Sequence, residues 1–335
     1  MSVTTVLVTM PFSEQQLDRM RRVSPSLTIT REDPQKADYA RADVLYTGTP
    51  PRELARSPRL KWVQLHMAGV NALHDHPLYT ESAITLTTTS GVHAATIAEY
   101  AVTVLLALAH RVPRMVEWHR RGGWPPDEQR WSLFVPTEVR GATLGIIGYG
   151  SIGRELARIA KTAFAMRILA CKRNPAERAD PDYCFPGTGD PEGALPDAWL
   201  SPAQVPALLA ESDVVVMAAP LTPATRQMIG ERELATMKRS AYFINVGRGA
   251  TVDEAALARA LEDGRIAGAA VDVFAQEPPP SGHSLYALDS VIVSPHVSGF
   301  VPSYDDWCSD LFAENLRRYL AGAPLLNQVD RARGY

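Results

Sequence analysis

The stretch GATLGIIGYGSIGRELARIAKTA, residues 141–163, decides the fold. Thr143 to Ile147 is a short apolar run of strand length, and from Ser151 to Thr162 apolar residues recur at helical spacing. Between them lies Gly148-Tyr149-Gly150-Ser151-Ile152-Gly153, a G-x-G-x-x-G placed where a strand turns into a helix, the context this motif needs. Gly148 permits the tight turn, Gly150 lets backbone approach a pyrophosphate with no Cβ in the way, and Gly153 lets the helix pack closely on the strand. The N–H groups of the first helical turn face such an anion, favoured by the helix dipole. Tyr149, Gly150, Ser151 and Ile152 are therefore candidate dinucleotide-binding residues. No G-x-x-x-x-G-K-[ST] accompanies them, and Ser151 lacks the first glycine of a nucleophile elbow.

Outward from this unit, strand-like and helix-like segments alternate. Strands are predicted at 167–171, 213–218, 241–246, 269–273 and 291–294, and helices at 202–210, 231–237 and 253–262. The strands are continuous apolar runs, as in a parallel sheet covered on both faces. The first 100 residues repeat the pattern more weakly, with strands predicted at 3–8, 44–46, 62–65 and 84–88, so a second, smaller α/β domain is expected there. Residues 303–320 read as a long helix. Residues 174–206 hold seven prolines and three glycines and read as an irregular connection, a tolerated surface insertion rather than a lid.

Composition excludes several classes. The 335 residues are 46% hydrophobic and 21% charged, ordinary for a folded chain of about two domains. Thirty-four basic against 37 acidic residues give a net charge of −3, too little cation for a nucleic-acid partner. Cys171, Cys184 and Cys308 lack metal-ligand spacing and read as reduced thiols of a cytoplasmic protein. Residues 2–10 lack the basic flank of a signal peptide and read as a first strand. The longest apolar run, 94–109, is short of the ~20 residues of a membrane span and reads as a buried helix at an interface. His74 and His76 have no evident third ligand, so no metal site is expected.

The second strand ends in Cys171-Lys172-Arg173-Asn174, where an acid would bind the ribose 2′-hydroxyl of NAD. Lys172 and Arg173 attract a 2′-phosphate instead, which favours NADP while leaving NAD open. Three further polar residues follow later strands, at the end of the sheet where ligands bind. These are Arg248 after 241–246, Glu277 after 269–273 and His296 after 291–294.

These segments resemble the D-isomer-specific 2-hydroxyacid dehydrogenase family, within it the glyoxylate/hydroxypyruvate reductases. The likeness rests on the glycine motif, Pro220-Leu221-Thr222, Asn245-Val246-Gly247-Arg248-Gly249, Asp272-Val273-Phe274-Ala275-Gln276-Glu277-Pro278 and Pro295-His296-Val297-Ser298-Gly299, in that order. Leu65 to Val70 (LHMAGV) resembles the family's substrate-carboxylate loop.

The resemblance implies a Rossmann-type doubly wound domain at 101–300, inserted into a smaller flavodoxin-like substrate domain at 1–100 and 301–335. It implies reduction of a small 2-oxo acid to the D-2-hydroxy acid, in a homodimer. His296 would donate the proton, Glu277 would orient its ring and favour imidazolium, and Arg248 would bind the substrate carboxylate and carbonyl oxygen. Backbone N–H groups of Met67, Ala68 and Gly69 would hold the carboxylate. Asp272 would bond the nicotinamide carboxamide, with Ala219, Pro220, Val246, Gly247, Ser298 and Gly299 completing the cofactor site. Met67, His93, Trp124, Trp131 and Tyr304 are further pocket candidates. Glu277 favours a hydroxy acid, since the family's formate enzymes carry Gln there. The rival functions are a non-catalytic dinucleotide-binding regulator resembling corepressors, and a related chemistry such as phosphite oxidation.

Overall fold

The computed structural model describes residues 3–335, the side chains of residues 55 and 56 excepted. Ser2, at the start of the first expected strand, lies outside the described residues. In chain order the first elements are β1 (Thr4–Val8), α1 (Glu14–Arg21), β2 (Leu27–Arg31), β3 (Val44–Thr47), β4 (Trp62–Leu65), α2 (Pro77–Thr80) and β5 (Thr85–Thr87). Then come α3 (Ala94–Ala109), α4 (Val112–Arg120), α5 (Asp127–Phe134), β6 (Thr143–Ile147), α6 (Ser151–Phe164), β7 (Arg167–Cys171), β8 (Ala198–Leu200) and α7 (Val205–Glu211). The remainder are β9 (Val214–Met217), α8 (Glu231–Thr236), β10 (Tyr242–Asn245), α9 (Glu254–Glu262), β11 (Gly268–Val271), β12 (Val291–Val293) and α10 (Tyr304–Ala321).

The chain forms two compact units. One holds the residues through His93, Pro181–Cys184 and Val301–Tyr335; the other holds Ala94–Asp180 and Phe185–Phe300. The boundary expected at residue 100 falls inside α3, which stays whole in the second unit. That four residues of the 174–206 connection group with the first unit was not apparent in the sequence.

In the second unit seven strands lie in the order β12-β11-β10-β9-β6-β7-β8, all parallel. This is the doubly wound order, reversing between β6 and β9. Alternate residues of β9 serve opposite faces. Val214 and Val216 join one core with Ile146 and Ala101, while Val215 and Met217 join the other with Leu208 and Phe243. Both faces are apolar, hence the unbroken hydrophobic runs.

The first unit has a five-stranded parallel sheet, β2-β1-β3-β4-β5, the flavodoxin-like order. Its faces are likewise split, with Val6, Val8 and Trp62 on one side and Leu7, Val63 and Leu65 on the other. β2 was not expected, because edge strand LTITR buries only Leu27 and Ile29. α1 was also missed, although Ser13 and Gln16 form a reciprocal capping box at its start. His76, in the bend before α2, caps that helix: its Nδ1 accepts from Leu78 N–H.

No single described helix is long and apolar enough to cross a membrane. Burial pushes the thiols of Cys171 and Cys308 up to about 12, whereas Cys184 is exposed. At pH 8 the buried pair therefore has roughly a thousandth of the thiolate fraction of an ordinary cysteine. A thiol reagent is expected to modify Cys184 quickly in the native protein and all three only after denaturation. Fast labelling of two or more native thiols would contradict this burial.

Candidate active site

The glycine turn sits where the strand order reverses. Gly148 has φ +100, and a Cβ there would lie 2.5 Å from the Ala219 nitrogen at the end of β9. A Cβ on Gly153 would lie 2.7 Å from the Gly148 carbonyl oxygen. These two glycines are required by the protein's own packing. Gly150 is not: its φ of −92 suits any residue, and a Cβ there would meet nothing within 4 Å. Gly150 also brings no side chain to cap α6. Open space above bare backbone at the N-terminus of a 14-residue helix fits a dinucleotide pyrophosphate.

Tyr149 behaves differently from its neighbours. It is 1% exposed, its N–H donates to the Cys171 carbonyl, and its hydroxyl donates to Asp190 Oδ2 at 2.8 Å. Its side chain therefore faces the 174–206 connection. That connection is no loosely tolerated insertion. Asp190 also accepts the N–H groups of Ala194 and Leu195, and Glu155 accepts from Gly189 N–H. Arg154, 3% exposed, pairs with Asp180 and donates to the carbonyls of Arg178 and Asp190. Buried charges on the first turn of α6 thus organise the excursion, which ends by adding β8 to the sheet edge. Sequence spacing gave no sign that partners 24–36 residues apart would meet.

Lys172 donates to the Glu177 carbonyl at 2.7 Å, and Glu177 in turn accepts from Asn174. Both cations lie just past β7, with Arg173 exposed.

β10, β11 and β12 are parallel neighbours, so the segments that follow them emerge at one edge. After β10, Asn245 closes the turn by accepting from Gly247 N–H at 3.1 Å and donating to the Arg248 carbonyl. Thr251 Oγ1 donates to the same carbonyl at 2.6 Å. Burial pushes the Arg248 guanidinium down from its ordinary value, and the Glu277 charge opposes this. A Cβ on Gly249 would fall 1.9 Å from the Phe274 carbonyl carbon, so the turns bearing Arg248 and Glu277 pack backbone on backbone.

Glu277 and His296 meet directly, Nδ1 to Oε2 at 2.7 Å. An ionised carboxylate only accepts, so Nδ1 carries hydrogen and donates, leaving Nε2 to hold or release a proton. The other oxygen, Oε1, accepts from Phe274 N–H at 2.9 Å. The loop before Glu277 is braced again by Glu254, which accepts from Ala275 N–H and from His283 Nε2. His283 Nδ1 already accepts from Leu285 N–H, so Nε2 bears the hydrogen. Sequence reasoning missed this second His–Glu pair, which carries no motif. Asp272 is 1% exposed and engaged with the His296 loop. Ala219, Val246, Gly247 and Ser298 are buried, while Pro220 and Gly299 are partly open.

In the first unit, Met67, Ala68 and Gly69 follow β4. The Met67 carbonyl accepts from Thr89 N–H, and the preceding His66 carbonyl accepts from the Tyr304 hydroxyl at 2.9 Å. His66 Nδ1 faces the Tyr46 hydroxyl, and His93 stacks on Tyr304 at 4.4 Å. Burial lowers the His66 pKa, partly offset by Asp305. Trp124 and Trp131 are 79% and 78% exposed. Among the described residues no group of three or more His, Cys, Asp or Glu could hold a metal ion.

Comparison with known proteins gives a consistent picture. Residues 102–298 match the family described as D-isomer specific 2-hydroxyacid dehydrogenase, NAD binding domain. A glyoxylate reductase of Aeropyrum pernix is 36% identical over 301 residues, 87% of this chain and 83% of that protein. A glycerate dehydrogenase of Methylorubrum extorquens is 34% identical, over 81% and 79% of the two chains. A solved D-isomer specific 2-hydroxyacid dehydrogenase from Xanthobacter autotrophicus, in complex with NADPH and MES, superposes with a TM-score of 0.80 at 30% identity. That match covers 100% of both chains.

Proposed function

Since this chain belongs to the D-isomer-specific 2-hydroxyacid dehydrogenase family, we propose that it reduces a small 2-oxo acid of the glyoxylate or hydroxypyruvate type to the D-2-hydroxy acid, using NADPH. It is an NAD(P)-dependent oxidoreductase. The observation that carries the reading is the Glu277–His296 pair, at the strand edge that also bears Arg248.

In this reading the bound nicotinamide supplies the hydride, and the chain supplies everything else. Glu277 holds the imidazole by Nδ1, so Nε2 delivers its proton to the carbonyl oxygen of the substrate. Arg248 engages the carboxylate and the carbonyl oxygen through its planar fork, and its partial burial strengthens that attraction. Met67, Ala68 and Gly69 bind the carboxylate through backbone N–H groups. Gly150, Ser151 and Ile152 cradle the pyrophosphate, with Tyr149 acting behind them as a buried anchor. Ala219, Pro220, Val246, Gly247, Ser298 and Gly299 line the rest of the cofactor site, and Asp272 accepts from the carboxamide. Lys172 and Arg173 choose NADP: a 2′-phosphate offers Lys172 an anionic acceptor in place of the neutral carbonyl it now holds. The solved Xanthobacter relative with NADPH supports this choice.

The second unit is then the dinucleotide domain and the first the substrate domain. We also assign a homodimer, because α4 and α5 have no buried residues yet present Val112, Met115, Val116 and Trp131. Unbridged thiols fit a cytoplasmic setting.

Steady-state kinetics on glyoxylate, hydroxypyruvate and pyruvate with each cofactor test the proposal. Glyoxylate and hydroxypyruvate are expected to turn over, with kcat/KM at least about tenfold higher for NADPH than NADH, the worth of one charge-assisted bond. Cofactor binding without turnover of any 2-oxo acid would instead indicate a regulator.

A further inference from the structure

His296 sits in a loop with no regular structure, at φ +55, a left-handed conformation that few residues other than glycine adopt. One residue holds that loop on both sides. The Asp272 carbonyl accepts from His296 N–H at 2.8 Å. Its Oδ1 accepts from Val297 N–H at 2.9 Å and its Oδ2 from Ser298 N–H at 3.1 Å. Oδ1 also accepts the Ser294 hydroxyl at 2.5 Å, and Ser294 Oγ lies 2.5 Å from the hydroxyl of Tyr100 on α3.

Counting protons fixes the direction of this chain. Ser294 has one hydroxyl hydrogen, and it goes to a carboxylate that can only accept. Tyr100 must therefore donate to Ser294. Burial raises the Tyr100 pKa, which keeps that hydrogen in place. Oδ1 then has both lone pairs filled, while Oδ2 keeps one for a further donor.

We propose that Tyr100 is a positioning residue for the reaction, acting through Ser294 and Asp272 to hold the His296 loop in register with Glu277. The sheet alone cannot do this, since β12 ends at Val293. Hydrogen bonds aligned toward one buried carboxylate reinforce each other, and the far end of the chain is a hydroxyl on a long core helix. This role rests on His296 being the proton donor.

The test is a double-mutant cycle of Tyr100→Phe with His296→Asn, read as kcat for glyoxylate with NADPH. Tyr100→Phe alone is expected to lower kcat about tenfold, with KM and NADPH affinity within twofold. In the His296→Asn background the same change is expected to cost less than twofold, because its target is gone. Equal losses in both backgrounds would overturn the proposal, and so would full activity of the single variant. Ser294→Ala breaks the same chain one link on and should match Tyr100→Phe; it serves the cycle if the latter melts early. Failure of the proposed function reads differently: His296→Asn would then leave wild-type turnover intact, or wild type would have none.

Discussion

Replacing His296 by asparagine is expected to lower kcat for glyoxylate reduction about 1000-fold while NADPH affinity stays within about twofold. The size follows from what a positioned acid contributes, about 100- to 10,000-fold. Asparagine is chosen because residue 296 has φ +55, a conformation asparagine tolerates, so the loop retains its backbone. The asparagine amide N–H can still donate to Glu277 Oε2, but the side chain has no proton to give at neutral pH. Pre-steady-state reduction with NADPH isolates the chemical step from product release. A variant that keeps more than a tenth of wild-type kcat would place the proton donor elsewhere.

Arg248→Gln is expected to lower kcat/KM for 2-oxo acids by about 1000-fold, with Arg248→Lys intermediate. Truncating one partner of a desolvated charge pair costs about 2–5 kcal/mol, which spans this range. Lysine restores the charge but offers no planar fork, so it recovers only part of the loss. The Asn245 and Thr251 bonds to the residue 248 carbonyl do not depend on the side chain, so the turn should survive either change. Melting temperatures near that of wild type would check this. A lysine variant with full kcat/KM would mean that a point charge suffices and the bidentate role is wrong.

The arrangement of the glycine turn explains why its motif was readable. Gly148 and Gly153 are demanded by contacts within ten residues or across one neighbouring strand, so local sequence carries them. The same holds for the strand ends bearing Arg248, Glu277 and His296, each of which follows an apolar run. The connection at 174–206 shows the opposite case. Its proline and glycine content suggested a surface insertion, yet Arg154 and Glu155 tie it to α6 and Tyr149 ties it to the glycine turn. Nothing in the composition of that segment reveals partners that lie on another element. β2 was illegible for a related reason, because an edge strand with two buried side chains leaves little apolar signal.

By itself the sequence determined two α/β units, parallel sheets, a dinucleotide turn and the chemical types gathered at one sheet edge. Apolar periodicity and glycine placement are short-range properties, and a single chain displays them in order. Only the tertiary structure decided how the loop after β12 is fixed, which way Tyr149 turns, and that Tyr100, Ser294 and Asp272 form one directed chain. Those depend on hydrogen bonds between residues up to 194 positions apart. Such bonds form where burial removes water as the alternative partner, and burial is a property of the folded chain.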